Sequence, residues 1–423
     1  MQVKKLENEI GIIYYPVPTA HSVTVGLYIG VGSRFETPAN NGITHFLEHM
    51  HFQQLGAISQ DEIRYKVERI GGSLDGATSK EMLRFLMQIR PHYLRESLWF
   101  FEHIFQDTPW SKQQFNAERR IILNELREKP ADWDLDIDEA KAMWKSHPLS
   151  LLPLGTKASI KALNLDDIVR HKKRFFCKEN VWLVVTGDIS ADDCAYIDDL
   201  FGGLSLPNNH LVEASDESGR SVQFNRSPDV LLKKWEYDDT DLRISFDVDT
   251  SVIAENEFLF LSNLVGSSGS SVLPKLISED LGLSYEIDAT AEIFAHEAVF
   301  NVALSVENKK AVLAQKEIVA ALHQLKHGIS ARDFTVTTPF FTDNLWYRLD
   351  ECDDLNIELG WVAVRGKPVI DVETMIERNH AITRERLTEV AGLIFRPSNT
   401  TITIASENIP FTEADVQEIW QEL

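Results

Sequence analysis

Two segments far apart in the chain share one pattern. Phe176-Cys177-Lys178-Glu179-Asn180 precedes the apolar run Val181-Trp182-Leu183-Val184-Val185, and 219 residues on Phe395-Arg396-Pro397-Ser398-Asn399 precedes Thr400-Thr401-Ile402-Thr403-Ile404. The order of strand-like and helix-like stretches before each match is shared as well. A chain that repeats its plan at this interval folds as two similar units rather than as one long core. At 423 residues it has the length for two. The polar, turn-rich stretch from Leu206 to Ser221 reads as the linker. The expected division is a unit at 1–205, a linker at 206–221 and a second unit at 222–423.

Each unit mixes strands and helices. Gly11–Tyr15 and Val23–Gly30 are rich in β-branched and aromatic residues between turn formers, and both read as strands. Gly42–Leu55 has Ile43, Phe46, Leu47 and Met50 at helical spacing. Gly71-Gly72 introduces a strand that Glu81–Arg90 can pair with. From Pro91 to about Trp144 the pattern is helical, with Ser111 as an N-cap and Pro130 closing the run. Ile160–Phe176 reads as one further helix. In the second half, Arg243–Val248 alternates like a half-exposed strand, and a helical region extends from about Ala311 to Glu389. The fold class is α+β: two duplicated sandwiches, each an antiparallel-rich sheet with helices packed on it.

Acidic residues outnumber basic ones 65 to 42, a formal charge of −23. That field repels phosphate backbones, which argues against nucleic acid as a partner. Cys177, Cys194 and Cys352 are few, odd in number and widely spaced, which excludes a disulfide framework and a four-cysteine zinc site. They read as small apolar packing residues. The N-terminal apolar run ends at Pro16 without a secretory signal, and no run is long enough to cross a membrane. The expectation is a cytoplasmic protein with no membrane partner.

The chemistry concentrates in His45-Phe46-Leu47-Glu48-His49. At about 100° per residue, His45 and His49 lie one turn apart on one helix face, with Glu48 in the same sector. Two imidazoles so placed form a bidentate site for zinc, and a neighbouring carboxylate reaches a water without ligating the metal. This is the inverted H-x-x-E-H pattern. His51 falls on the opposite face and reads as structural. Catalytic zinc usually takes a third protein ligand and leaves one position open. Glu118 and Glu125, two turns apart on one helix face, are both candidates, although a lone glutamate is more commonly just exposed.

Together with Gly32-Ser33-Arg34-Phe35-Glu36, Asn41–Met50, Gly71-Gly72-Ser73-Leu74-Asp75-Gly76-Ala77-Thr78, Glu118–Glu125 and Leu154-Gly155-Thr156, the motif resembles the inverted-motif zinc peptidases of the pitrilysin, insulin-degrading enzyme and mitochondrial processing peptidase family. The resemblance is strongest before residue 190. It implies one Zn2+ per chain held by His45, His49 and Glu125, Glu48 as general base for the attacking water, and Glu118 orienting a ligand histidine. It also implies that Leu74, Asp75, Gly76 and Ala77 form an edge strand on which a peptide substrate docks. The family usually has Asn and Ala where this chain has Asp75 and Gly76. Both changes are expected to be tolerated, with Asp75 favouring a cationic substrate.

Family members of this length pair two chains like a clamshell, and the partner's second unit supplies an Arg and, seven residues later, a Tyr that polarise the substrate carbonyl. Here Tyr285 stands in place, with Ser278 where the Arg belongs. A serine carries no fixed charge, and losing such a donor costs about 10²–10³ in rate. The resemblance therefore implies a heterodimer with a related subunit that supplies an intact Arg/Tyr pair, in leader-peptide removal or peptide natural-product maturation. A homodimeric peptidase in which Lys275 or Arg243 takes over the charge, and a non-catalytic structural subunit, are the alternatives.

Overall fold

The computed structural model describes residues 1–129, 133–207, 228–234, 236, 238–409 and 411–423, so most of the expected linker lies outside the described residues. The first half supplies strands β1 (Gln2–Lys5), β2 (Gly11–Pro16) and β3 (Val23–Ile29), helix α1 (Ile43–Gln53), strands β4 (Ser73–Thr78) and β5 (Leu83–Ile89), helices α2 (Lys112–Glu125), α3 (Trp133–Trp144) and α4 (Leu165–Phe175), and strand β6 (Val181–Gly187). The second half supplies β7 (Asp229–Lys234), β8 (Asp239–Val248), α5 (Glu255–Gly266), β9 (Ile287–Ile293), β10 (Ala298–Glu307), α6 (Ala311–His327), α7 (Ala331–Thr342), α8 (Cys352–Val364), α9 (Arg384–Ile394) and β11 (Thr400–Ser406).

Two compact units result, and they are not the contiguous halves expected from the sequence. One draws on the described residues of 1–129, 147–207 and 346–371, the other on those of 133–146, 228–345 and 372–423. Helix α8 thus belongs with the first unit and α3 with the second.

Among the described residues, the first unit has a six-stranded sheet in the order β1-β2-β6-β3-β5-β4, with β2 and β6 parallel and the other pairs antiparallel. Side chains alternate across it. Val23, Val25, Leu27 and Ile29 of β3 face a core shared with Phe46, Leu47 and Met50 of α1, Phe115 and Ile122 of α2 and Ile168 of α4. Thr24, Gly26 and Tyr28 face α8, which covers β3 and β6 from the other side. There the Asn356 amide donates to the carbonyls of Thr24 and Val184, both at 3.0 Å, and its oxygen accepts from the Tyr28 hydroxyl at 2.7 Å. Glycine is required at Gly360 for this approach, since a Cβ there would sit 2.4 Å from the Tyr28 ring.

The second unit has a five-stranded sheet, β9-β10-β8-β11-β7, with β11 and β7 parallel. Leu242, Ile244 and Phe246 of β8 enter its core with Leu261 and Leu264 of α5, Ile318 of α6 and Leu387 of α9. The alternate residues meet α3: Arg243 binds Asp136 and Glu139, and the Ser245 hydroxyl donates to Glu139 at 3.0 Å. The strand expected to be half exposed is therefore covered on both faces, by a helix more than 90 residues earlier in the chain.

The repeat holds in detail. Helices α4 and α9, and strands β6 and β11, are each related by the same 219-residue shift. The paired asparagines explain why the short match ends on Asn. Asn180 donates to the carbonyl of Phe175 at the end of α4, and Asn399 donates to that of Ile394 at the end of α9, both at 2.8 Å. A helix end leaves such carbonyls unpaired, and here a side-chain amide satisfies them. The expected helix 160–176 is divided at Asn164, whose side chain accepts from the Asp167 N–H and caps α4. The expected helical region 311–389 is a series of separate helices, broken first at Gly328 and again at Gly366, where φ is +67°. None of the helices among the described residues is long and apolar enough to cross a membrane.

Candidate metal centre

Helix α1 starts at Gly42, which offers no side-chain cap. The buried Glu36 carboxylate takes that role from a distance. It accepts from the main-chain N–H groups of Gly42 at 2.7 Å and Thr44 at 2.9 Å, and from the Asn41 amide at 2.9 Å. A carboxylate there satisfies the open amides and complements the positive helix end. Helix α2 is capped by Ser111, as the sequence predicts, and packs on α1 by stacking Phe115 on Phe46, with ring centroids 4.6 Å apart.

That packing brings His45 and His49 of α1 against Glu118 and Glu125 of α2. The His45 Nε2 lies 4.0 Å from one Glu125 oxygen and the His49 Nε2 3.7 Å from the other. The ligand atoms of these three residues all fall within 4.8 Å of one another, and they are the one such group of three or more His, Cys, Asp or Glu among the described residues. Glu118, nearly fully buried, accepts from His49 Nδ1–H at 3.0 Å, which fixes the tautomer and leaves Nε2 as the donor atom. Of the two glutamates left open by spacing alone, Glu125 faces both imidazoles and Glu118 stands behind His49.

The electrostatics differ along the helix. Burial, with the nearby His49 and Lys129, pushes His45 down to about 3, so its imidazole stays neutral at physiological pH. Burial also opposes charge on His49, but the Glu118 hydrogen bond and the Glu125 and Glu48 carboxylates outweigh it and raise His49 above the ordinary histidine value. Glu48 is raised by burial, against the pull of a 2.6 Å hydrogen bond from the Thr78 hydroxyl and of His49. His51 sits in the core with its Nδ1 on the Leu47 carbonyl at 2.8 Å and its ring stacked on Phe176.

Strand β4, carrying Leu74, Asp75, Gly76 and Ala77, is an edge of the sheet and runs past α1. A Cβ at Gly76 would lie 2.7 Å from the Phe52 ring and 3.1 Å from Glu48 Cγ, which accounts for glycine where the family usually has Ala. Asp75 points outward, 3.3 Å from Arg84.

Two contributors escaped the sequence reading. Thr78, at the end of β4, holds Glu48. Gln53, one turn beyond His49, donates to Glu118 through its amide. Thr78 lies within the Gly71–Thr78 motif, and Gln53 repeats the i+4 spacing from His49, so both left a trace in the sequence.

Ser278 and Tyr285 belong to the second unit, where they line a groove of about 870 Å3 with Arg243, Lys310, Asp239 and Asp241. Tyr285 is 99% exposed. The cations offered as substitutes for an Arg at 278 are already engaged. Lys275 holds Asp280 at 2.6 Å, and Arg243 is bound by Asp136, Glu139 and Asp241.

The donor set suits zinc: two imidazoles and a carboxylate are what a catalytic site of this metal takes, with a coordination position left for water. Fold and site thus define an inverted-motif metallopeptidase scaffold built from two like units. The descriptions "Insulinase (Peptidase family M16)" and "Peptidase M16 inactive domain" match residues 12–156 and 162–337 respectively. The chain belongs to peptidase family M16. Its relatives include a Bacillus subtilis protein named as an uncharacterized zinc protease, YmxG (27% identity over 66% of this chain and 68% of that protein), and a probable mitochondrial-processing peptidase subunit beta from Arabidopsis thaliana (28% over 45% and 36%). A Helicobacter pylori protease has the same fold, with a TM-score of 0.85 at 21% identity over 96% of this chain and 99% of that one. The Escherichia coli periplasmic protease PqqL matches all of this chain with half of its own length, at 17% identity and a TM-score of 0.78.

Proposed function

We propose that the chain is a zinc metalloendopeptidase and the zinc-bearing subunit of a heterodimer that trims leader segments from peptides. The observation that carries this reading is the convergence of His45, His49 and Glu125 beside a buried Glu48. Zinc bound there supplies Lewis acidity that makes water a nucleophile at neutral pH. Glu48, with one oxygen held by Thr78, takes the proton from the water that attacks the scissile carbonyl and returns it to the leaving amine as the C–N bond breaks. Its raised proton affinity suits that exchange. Glu118 and Gln53 keep His49 oriented. The β4 edge offers main-chain donors and acceptors to an extended peptide, which gives sequence tolerance, and Asp75 favours a basic residue in it.

The missing charge at Ser278 supports a partner subunit, since Lys275 and Arg243 are tied to carboxylates. A relative named as a subunit of a processing peptidase, and a PqqL chain twice this length, support pairing as well. The test is peptide cleavage by the purified chain, alone and after Ser278→Arg. The reading expects weak cleavage alone and, where two copies of the variant pair so that each supplies the other's arginine, a gain of about 10²–10³, by the usual worth of such a donor. Full activity of the unaltered chain without a second polypeptide would point to the homodimer, and a chain that binds no zinc would point to a structural subunit.

A further inference from the structure

Helix α6 carries a second pair of histidines one turn apart, His323 and His327, both exposed to solvent. Their ring centroids are 4.6 Å apart, the same separation as between His45 and His49. Their Nε2 atoms stand 3.4 Å apart. For a hydrogen bond between rings that is long, and the pair gains little from it. For two nitrogens on one tetrahedral metal it is the expected span, because bonds of about 2.0–2.1 Å at a tetrahedral angle place them about 3.3–3.4 Å apart. Lys326, between them in sequence, is turned to the main-chain oxygen of Leu423 and away from this face.

The geometry points to a second metal site on the second unit, in which His323 and His327 chelate one divalent transition ion through their Nε2 atoms while water completes the coordination. Imidazole donors select zinc, copper or nickel over magnesium or calcium. The net charge of −23 draws cations to the surface. With two protein ligands and no third His, Cys, Asp or Glu grouped with them among the described residues, this site is weaker than the first and fills after it. The metal content of the chain then rises from one to two equivalents as free metal increases, whatever the peptidase reading turns out to be.

The test is equilibrium dialysis of the full chain against increasing Zn2+, with no other ligand present. The expected result is one tight and one weaker equivalent. His323→Ala and His327→Ala should each abolish the weaker one while leaving the tight equivalent and the peptide-cleavage rate unchanged. His45→Ala should remove the tight equivalent and leave the weaker. A single equivalent at saturation, or a weaker equivalent that survives both α6 substitutions, overturns the site. Loss at His45→Ala without loss at the α6 variants would separate this failure from any failure of the catalytic reading.

Discussion

The two units are copies of one scaffold, and among the described residues only the first holds a cluster such as His45, His49 and Glu125. In both, a parallel pair of strands adjoins antiparallel neighbours in the same order, and a serine caps a matched helix: Ser111 before α2 and Ser330 before α7, 219 residues apart. By that shift Glu118 corresponds to Thr337 and Glu125 to Asn344. The helix after β8, α5, carries Phe258, Phe260 and Leu261 into its core and contains no histidine, whereas α1, after β3, carries three, of which His45 and His49 face α2. Backbone architecture alone therefore does not make the centre; three side chains on two helices do. The second unit, which lacks that ligand set at the matched positions, is where Ser278 and Tyr285 face a groove.

Substitutions at matched positions should expose that asymmetry. Glu48→Gln is expected to keep zinc and lower turnover by about 10²–10⁴, the usual worth of a general base. Asn344→Ala, at the counterpart of a ligand, should stay within about twofold. Metal analysis beside a peptide-cleavage assay decides, and equal losses at both would mean that the units share the chemistry. Glu118→Gln should weaken zinc affinity about 10–100-fold, since it leaves His49 without its orienting carboxylate. Thr337→Ala should leave zinc affinity unchanged in the same titration.

The exchanged helices sharpen the comparison in stability. Asn356→Ala leaves the Tyr28 hydroxyl and two strand carbonyls buried without their partner, at about 1–3 kcal/mol for each group. Hydrogen exchange should then show β3 and β6 opening while β8 and β11 keep their protection. If both sheets lose protection together, the units do not unfold separately.

The smallest effect is a pH dependence. Burial raises Glu48, so in the metal-free chain it favours the protonated, folded form. That contribution is complete below the ordinary glutamate range and is lost as pH climbs through the raised value. Glu48→Gln, uncharged throughout, escapes the loss. With metal removed, the variant should melt about 2–4 °C above the unaltered chain at pH 8 if the difference is about 1 kcal/mol, and the gap should close near pH 4. A gap that widens toward acid would reverse the sign and refute the burial argument.

Much of the centre was legible because its information is local. His45, Glu48 and His49 are fixed by one helical turn, and Glu118 and Glu125 by two. Thr78 and Gln53 acquire their partners only when β4 and α2 meet α1, which spacing within one element does not encode. The duplication was readable from a short match because Asn180 and Asn399 each close a helix end. The pairing of α3 and α8 with the opposite units was not. A strand such as Val23–Ile29 shows that its second face is covered only through Thr24, Gly26 and Tyr28, and nothing in those residues names a helix over 300 positions away.

Helix α8 also sets a timetable for synthesis. A ribosome that has released the first half of this polypeptide has made every strand of the first sheet, yet the helix that covers Tyr28 is still untranslated. Until residue 364 emerges, the nascent sheet leaves Tyr28 and its neighbours uncovered, so maturation of the histidine-bearing lobe waits on translation of the other.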